Sequence, residues 1–253
     1  MSNSGNKNKV VLVTGSATGV GRACALHFAK EGYDVVVNYP GTDEVEANET
    51  VKQVNSFGVE SLLVKCDVSR NDQVQQMACS IRERYEKIDV LVNNAGKTYF
   101  VEHSNLDEMS EAMWDEILAV NTKGPFLVTR ACLSLLRASD NAAIVNVSSA
   151  AGITGYGSSI AYCASKGGLN TMTKSLAKCL APGIRVNAVC PGPIDSRWLR
   201  NAMTEEEIQE RAHQLPLAKL AHPDDIADTV FYLAAGTTMT TGQLLVVDGG
   251  RTV

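Results

Sequence analysis

The chain has 253 residues, 45% of them hydrophobic and 20% charged, with 28 acidic against 23 basic side chains and a net charge of −5. At this length one compact domain buries roughly 70–75% of its unfolded surface, so folding requires no disulfide or structural metal. The acidic balance excludes nucleic acid as a general partner, and the longest apolar run, residues 230–235, is far short of the roughly 20 residues of a membrane-spanning helix.

Residues 1–9 are polar and lack the apolar stretch and cleavage site of a secretory signal, so they read as a loose tail before a single domain over 10–253. Short runs of Val, Ile and Leu then recur at 10–13, 35–37, 62–64, 90–92, 143–147, 184–189 and 244–247. They lack polar alternation, which predicts strands buried on both faces of a parallel sheet. Helical spacing lies between them, as at 22–31 before Gly32 and at 162–181 before Pro182-Gly183. Seven strands alternating with helices predict a doubly wound α/β domain with a seven-stranded parallel sheet. Such sheets bind ligands beyond the carboxyl ends of their strands. The seven cysteines are odd in number, with none within ten residues of another, which points to free thiols in a reducing cytoplasm. The four histidines show no metal-ligand spacing, and no metal is expected.

The first strand runs into Thr14-Gly15-Ser16-Ala17-Thr18-Gly19-Val20-Gly21 and then a helix. Glycines there let the backbone turn sharply and approach a pyrophosphate, whose charge the helix N-terminus stabilises. The spacing is T-G-x(3)-G-x-G rather than G-x-G-x-x-G. An NAD site places a carboxylate at the end of the second strand to accept from the ribose 2′-hydroxyl. Asp34 precedes that strand, whose end, Asn38-Tyr39-Pro40, carries no acid. Asn38, Thr18, Ser16 and Thr42 are donors toward a 2′-phosphate; against them, no Arg or Lys lies nearby in sequence, and Asp43 and Glu44 follow. The balance favours NADP over NAD.

Of the seven tyrosines only Tyr162 has a lysine four residues on, Lys166. On a helix the two share a face, and an ammonium there is expected to pull the phenol pKa down toward the working pH of a general acid-base. Ser148-Ser149 ends the strand 143–147, Asn93-Asn94-Ala95-Gly96 ends another, and Cys190-Pro191-Gly192-Pro193-Ile194 follows a third. Four such turns on one sheet edge are expected to make one site.

Taken in order with Asp67-Val68, Asn121 and the run from Thr241-Gly242-Gln243 to Val247-Asp248-Gly249-Gly250, these motifs resemble the short-chain dehydrogenase/reductase family, and within it the single-domain 3-oxoacyl-(acyl-carrier-protein) reductase-like members. The resemblance implies a Rossmann-type fold and an NAD(P)-dependent interconversion of a ketone or aldehyde with an alcohol. It implies Tyr162 as the general acid-base, Lys166 as the residue that lowers its pKa and holds the nicotinamide ribose, and Ser149, ahead of the weaker candidate Ser148, as the group polarising the substrate oxygen. Asn121 is implied to hold a relay water. Gly15, Ser16, Thr18, Gly19, Val20, Gly21, Asn38 and Tyr39 are expected around the phosphates and adenosine ribose. Asp67 and Val68 are implied at the adenine, Asn93 to Gly96 as the adenosine-ribose wall, and Pro191, Gly192 and Ile194 at the nicotinamide. A substrate lid is implied at about 194–220, its Glu205 to Glu207 read as a helix first turn capped by Thr204. Tyr99, Phe100, Tyr156 and Trp198 are candidates for an apolar pocket wall. A small-molecule substrate, a cytoplasmic location and a homotetramer complete what the resemblance implies. The rival reading is a non-catalytic nucleotide-binding regulator on the same fold, against which the intact Ser149, Tyr162 and Lys166 set weighs.

Overall fold

The computed structural model describes residues 8–253. Its strands are β1 (Val10–Val13), β2 (Asp34–Tyr39), β3 (Ser61–Lys65), β4 (Val90–Asn93), β5 (Ala142–Val147), β6 (Ile184–Pro191) and β7 (Leu244–Val247). All pair in parallel, in the order β3-β2-β1-β4-β5-β6-β7. The helices are α1 (Gly19–Lys30), α2 (Glu44–Asn55), α3 (Asn71–Arg84), α4 (Glu111–Leu118), α5 (Gly124–Arg137), α6 (Ala151–Thr154), α7 (Ile160–Leu180), α8 (Arg197–Ala202), α9 (Glu205–His213) and α10 (Pro223–Phe231), with a π turn, Ala119–Lys123, joining α4 to α5.

The central strands are apolar on both faces because helices cover both. Leu12, Val36, Leu91 and Ile144 point to one side, against Met77 and Ile81 of α3 and Val128 and Leu136 of α5. Their neighbours Val11, Val13, Val35, Val37, Val90 and Val92 point to the other, against Phe28 of α1 and Ile226 and Val230 of α10. Burying each such Val or Leu contributes roughly 1.5–3 kcal/mol.

Two expectations about the strands change. β3 is only half-buried, and Leu245 and Val246 of β7 are 38% and 36% exposed. Both are edge strands, flanked by a neighbour on one side only, so their unbroken apolar character does not translate into burial. The tail also ends earlier than expected. Asn8 Nδ2 donates to Asp34 Oδ1 at 3.1 Å and Lys9 O accepts from Asp34 N at 2.8 Å, which pins both residues to the amino end of β2. The rest of that tail lies outside the described residues.

β1 lies between β2 and β4, so the chain leaves it in opposite directions and a crevice opens beyond its carboxyl end. The loops after β1, β2, β4, β5 and β6 all face this edge because the sheet is wholly parallel.

Candidate active site

The glycine turn after β1 is shaped by contact as much as by conformation. Gly15 and Gly19 have φ of +62° and +56°, a region costly for any side chain. A Cβ on Gly21 would lie 2.3 Å from Gly15 O and 2.4 Å from Asn94 Nδ2. The turn is tied to the loop after β4: Thr14 Oγ1 accepts from Asn94 N and Ala95 N, both at 3.0 Å, and Asn94 Nδ2 donates to Thr14 O and Gly15 O. A Cβ on Gly19, by contrast, would meet nothing within 4 Å. The α1 N-cap, Thr18, makes no side-chain bond to the helix amides, and no acid stands in the first turn. An open, left-handed cradle over unserved amides at the positive end of a helix fits a dinucleotide pyrophosphate.

Two side chains expected to meet a 2′-phosphate are spent elsewhere. Asn38 is 1% exposed; its Oδ1 accepts from Gly15 N, and its Nδ2 donates to Cys66 O at 3.0 Å and Val64 O at 3.3 Å. The buried Ser16 hydroxyl donates to Val13 O at 2.8 Å and accepts from Asn38 N at 3.0 Å. They brace the turn and have no donor left for a ligand. Tyr39 likewise packs inward against Ala17 and Ala47. Thr18 is partly exposed and Thr42 exposed, the latter bonded to Asp43.

The basic group that linear distance did not reveal is Lys65. It ends β3 directly opposite Tyr39, and its Cε lies 2.6 Å, its Nζ 3.4 Å, from where a Cβ on Gly41 would stand. The signal for it was a lysine closing the strand next to β2, visible only once the strands are paired. Arg197 is the second cation, bridging Asp43 at 2.9 Å and Glu46 at 3.4 Å and so offsetting the acids that follow β2.

Asp67 Oδ1 accepts from Ser69 N and Oγ, which fixes the loop after β3, and Val68 abuts Gly124, where a Cβ would come within 2.9 Å of Val68 Cγ2. Asn93 turns into the sheet: its Nδ2 donates to Asn146 Oδ1, whose amide continues to Thr173 Oγ1. Its side chain therefore holds strands together, and only the backbone with Ala95 and Gly96 remains for a ribose wall. Gly192 meets Asp248, and Ile194 pairs with Ala221.

α7 begins at Ile160, capped by Ser159 Oγ accepting from Tyr162 N. Gly152 lets α6 press onto it, since a Cβ there would lie 2.5 Å from Lys166 C. That contact sets Ser149 against Tyr162. Ser149 Oγ accepts from Ala151 N at 3.1 Å and reaches Pro191 O only at 3.5 Å, so its proton is weakly held. Ser148 is buried and bonded to Asn170 Oδ1 at 2.6 Å, a structural role. Lys166 is 4% exposed, with Nζ donating to Val147 O at 2.8 Å and lying 5.7 Å from the Tyr162 ring centre.

The pKa expectation for this pair is reversed. Tyr162 keeps part of its surface in the cleft, yet the packing around it pushes the phenol up to about 12, opposed by the Ser149 hydroxyl. Burial also drives Lys166 down to about 8. The physical reason is that removing water penalises both charged forms, and at this separation the amine does not outweigh that penalty. Asn121 is tied into its surroundings. Its Nδ2 donates to Lys97 O and Ser165 Oγ and its Oδ1 accepts from Lys97 N, so both amide protons are spent within the protein. It sits in the π turn and laces that turn to α7, where Ser165 Oγ donates to Tyr162 O.

The lid segment crosses the crevice. Arg197 reaches the loop after β2, while the Trp198 ring lies 3.5 Å from where a Cβ on Gly96, after β4, would stand. β1 lies between those two strands. Thr204 and Glu207 form the expected reciprocal cap of α9. Tyr99 is drawn toward Glu116, to which its hydroxyl donates at 2.6 Å, and Phe100, Tyr156 and Trp198 remain exposed.

Fold and site together define a nicotinamide-dependent oxidoreductase, and the chain belongs to the short-chain dehydrogenase/reductase family, acting on CH–OH donors. Residues 15–252 match the family described as enoyl-(acyl carrier protein) reductase. A Streptomyces violaceoruber protein named as a ketoacyl reductase of the granaticin polyketide synthase is 40% identical over 242 residues, 95% of each chain. The 3-oxoacyl-(acyl-carrier-protein) reductase FabG of Staphylococcus aureus is 39% identical over 245 residues, 96% of this chain and 97% of that one. A Burkholderia xenovorans crystal structure described as a short-chain dehydrogenase/reductase superposes with a TM-score of 0.91 at 34% identity, covering 97% of this chain and 98% of the other. Among the described residues no helix is long and apolar enough to cross a membrane.

Proposed function

We propose that this protein reduces the ketone of a 3-oxoacyl thioester to a secondary alcohol, using NADPH. The observation that carries the reading is geometric: Tyr162 keeps part of its surface exposed, Lys166 Nζ lies 5.7 Å from its ring centre, and Ser149 follows β5 at the same sheet edge as the open glycine cradle after β1. When bound, the nicotinamide supplies the hydride that makes the new C–H bond. Tyr162 Oη gives its proton to the carbonyl oxygen as the C=O π bond opens, and Ser149 Oγ exchanges its long contact with Pro191 O for a hydrogen bond to that same oxygen. Lys166 returns the proton to Tyr162 and has N–H donors beyond the Val147 bond for the nicotinamide ribose. The loop amides and α1 hold the pyrophosphate, and Asn121 positions α7.

NADP is favoured because Lys65 stands beside Gly41 with no carboxylate partner among the described residues, while Arg197 neutralises Asp43 and Glu46. The relatives' names support an oxoacyl substrate.

The test follows absorbance at 340 nm with a 3-oxobutyryl thioester, a crotonyl thioester and simple ketones, together with calorimetric binding of NADPH and NADH. Turnover of the 3-oxo thioester is expected, reduced roughly 10²–10⁴-fold in Tyr162→Phe while NADPH still binds. Turnover of the crotonyl thioester alone would refute it, and cofactor binding without any turnover would favour a regulator.

A further inference from the structure

A small cavity of about 230 Å³ is lined by Ala150, Thr154, Tyr156, Arg251 and Thr252. Ala150 follows Ser149 in the chain, and Thr154 and Tyr156 lie in the segment that leads from Ser149 to Tyr162, so the cavity adjoins the stretch that carries both. Its volume is roughly that of eight waters, enough for one end of a ligand rather than a whole one. Arg251 stacks over the Tyr156 ring, 5.4 Å from its centre, a contact that modestly favours one placement of a long flexible side chain.

The chain end that carries it is built rather than loose. Gly249 and Gly250 have φ of +68° and +88°, Gly250 N donates to Asp248 Oδ1, Leu217 N donates to Gly249 O, and a Cβ on Gly250 would strike Pro216 at 2.9 Å. The turn thus delivers residues 251–252 to the mouth of the pocket. Thr154 spends its hydroxyl on Ala150 O, so the donors facing the cavity are the guanidinium and Thr252. Among the described residues no carboxylate pairs with Arg251, and none lines the cavity. A guanidinium stacked on an aromatic ring, with no carboxylate partner among the described residues, is suited to an anion.

We propose that Arg251 and Tyr156 form a subsite for an anionic group on the substrate, a phosphate or carboxylate carried on the chain whose ketone lies at Ser149 and Tyr162. The subsite rests on the function proposed above, and it makes Arg251 a specificity residue rather than a catalytic one. The two sources of negative charge separate by substrate: 3-oxobutyryl coenzyme A carries phosphate, acetoacetate carries a carboxylate, and the N-acetylcysteamine thioester and ethyl acetoacetate carry neither.

The experiment compares wild type, Arg251→Gln and Arg251→Lys on these four, with inorganic phosphate titrated calorimetrically into each protein saturated with NADP⁺. In Arg251→Gln, KM for whichever anionic substrate uses the site is expected to rise about tenfold or more at unchanged kcat, the neutral pair to be unaffected, and phosphate binding to weaken in parallel. Arg251→Lys should recover part of the loss. Equal changes on charged and neutral substrates, or phosphate binding identical in wild type and Arg251→Gln, would overturn the proposal. So would a change in molar mass by light scattering that accompanies the KM effect, because Arg251 would then serve assembly. Absence of turnover on all four would count against the proposed function, while the phosphate titration would still decide the subsite.

Discussion

Burial governs the chemistry of the individual side chains in the cleft. Lys166, held to about 8 by loss of water, is charged below that pH and neutral above it. If it resupplies the proton, reduction should be flat below pH 8 and fall as pH rises through it, and a profile unchanged to pH 10 would exclude that role. The same depression has a stability consequence of opposite sense. Between about 8 and the ordinary 10.5 the unfolded chain binds more protons than the folded one, so stability contributed at this residue rises with pH across that window and the full cost of a buried ammonium is felt below it. Lys166→Met should therefore melt higher than wild type near pH 7, by a few degrees at most once the lost bond to Val147 O is counted, and the gap should close toward pH 10.5. At the other end of the groove, Lys65→Glu should weaken NADPH about tenfold or more in a binding titration and leave NADH nearly unchanged if, as proposed, Lys65 serves the 2′-phosphate. Equal loss of both would remove Lys65 from cofactor choice.

At the scale of elements, what matters is how closely helices approach one another. α6 rests on α7 through Gly152, and Gly152→Ala would force its Cβ against Lys166 C, moving Ser149 relative to Tyr162. We expect kcat to drop about 10²-fold and NADPH affinity to fall far less, because Lys166 is one of several groups proposed to hold the coenzyme whereas this contact sets the serine against Tyr162; a normal kcat would show that the serine is positioned otherwise. The elements also show where sequence is informative. The valine runs of β1, β2, β4, β5 and β6 announced themselves because helices on both faces demand them. The same character in β3 and β7 misled, since burial at an edge depends on neighbours that periodicity does not encode. α1 starts at Gly19, earlier than its side-chain pattern, because ligand-cradling glycines occupy its first turn and are poor helix formers. The positions of Ser149, Tyr162 and Lys166 were legible from spacing, whereas the direction of the phenol pKa was not, because desolvation belongs to the packed surroundings and not to the i, i+4 pair. Lys65 and the commitments of Asn38, Ser16 and Asn121 emerged only from contacts between distant segments.

The molecule as a whole leaves apolar side chains uncovered along its outer edge, with Leu245 and Val246 on β7 and Met239 93% exposed just before it. An open parallel edge of this kind invites pairing with another chain. Together with the family resemblance it supports assembly, which light scattering would read as a tetramer. A monomer at micromolar concentration would contradict this, and Val246→Lys should then change nothing.

The strap formed by Arg197 and Trp198, which touches the loops after β2 and β4 and so passes over β1, has a consequence for coenzyme release. Its contacts with the loop after β2 are surface ion pairs worth at most about 1 kcal/mol, easily parted. If the coenzyme sits beneath this strap, its release should quicken as ionic strength rises, which stopped-flow fluorescence of bound NADPH would read; a rate indifferent to salt would show that these ion pairs do not hold it.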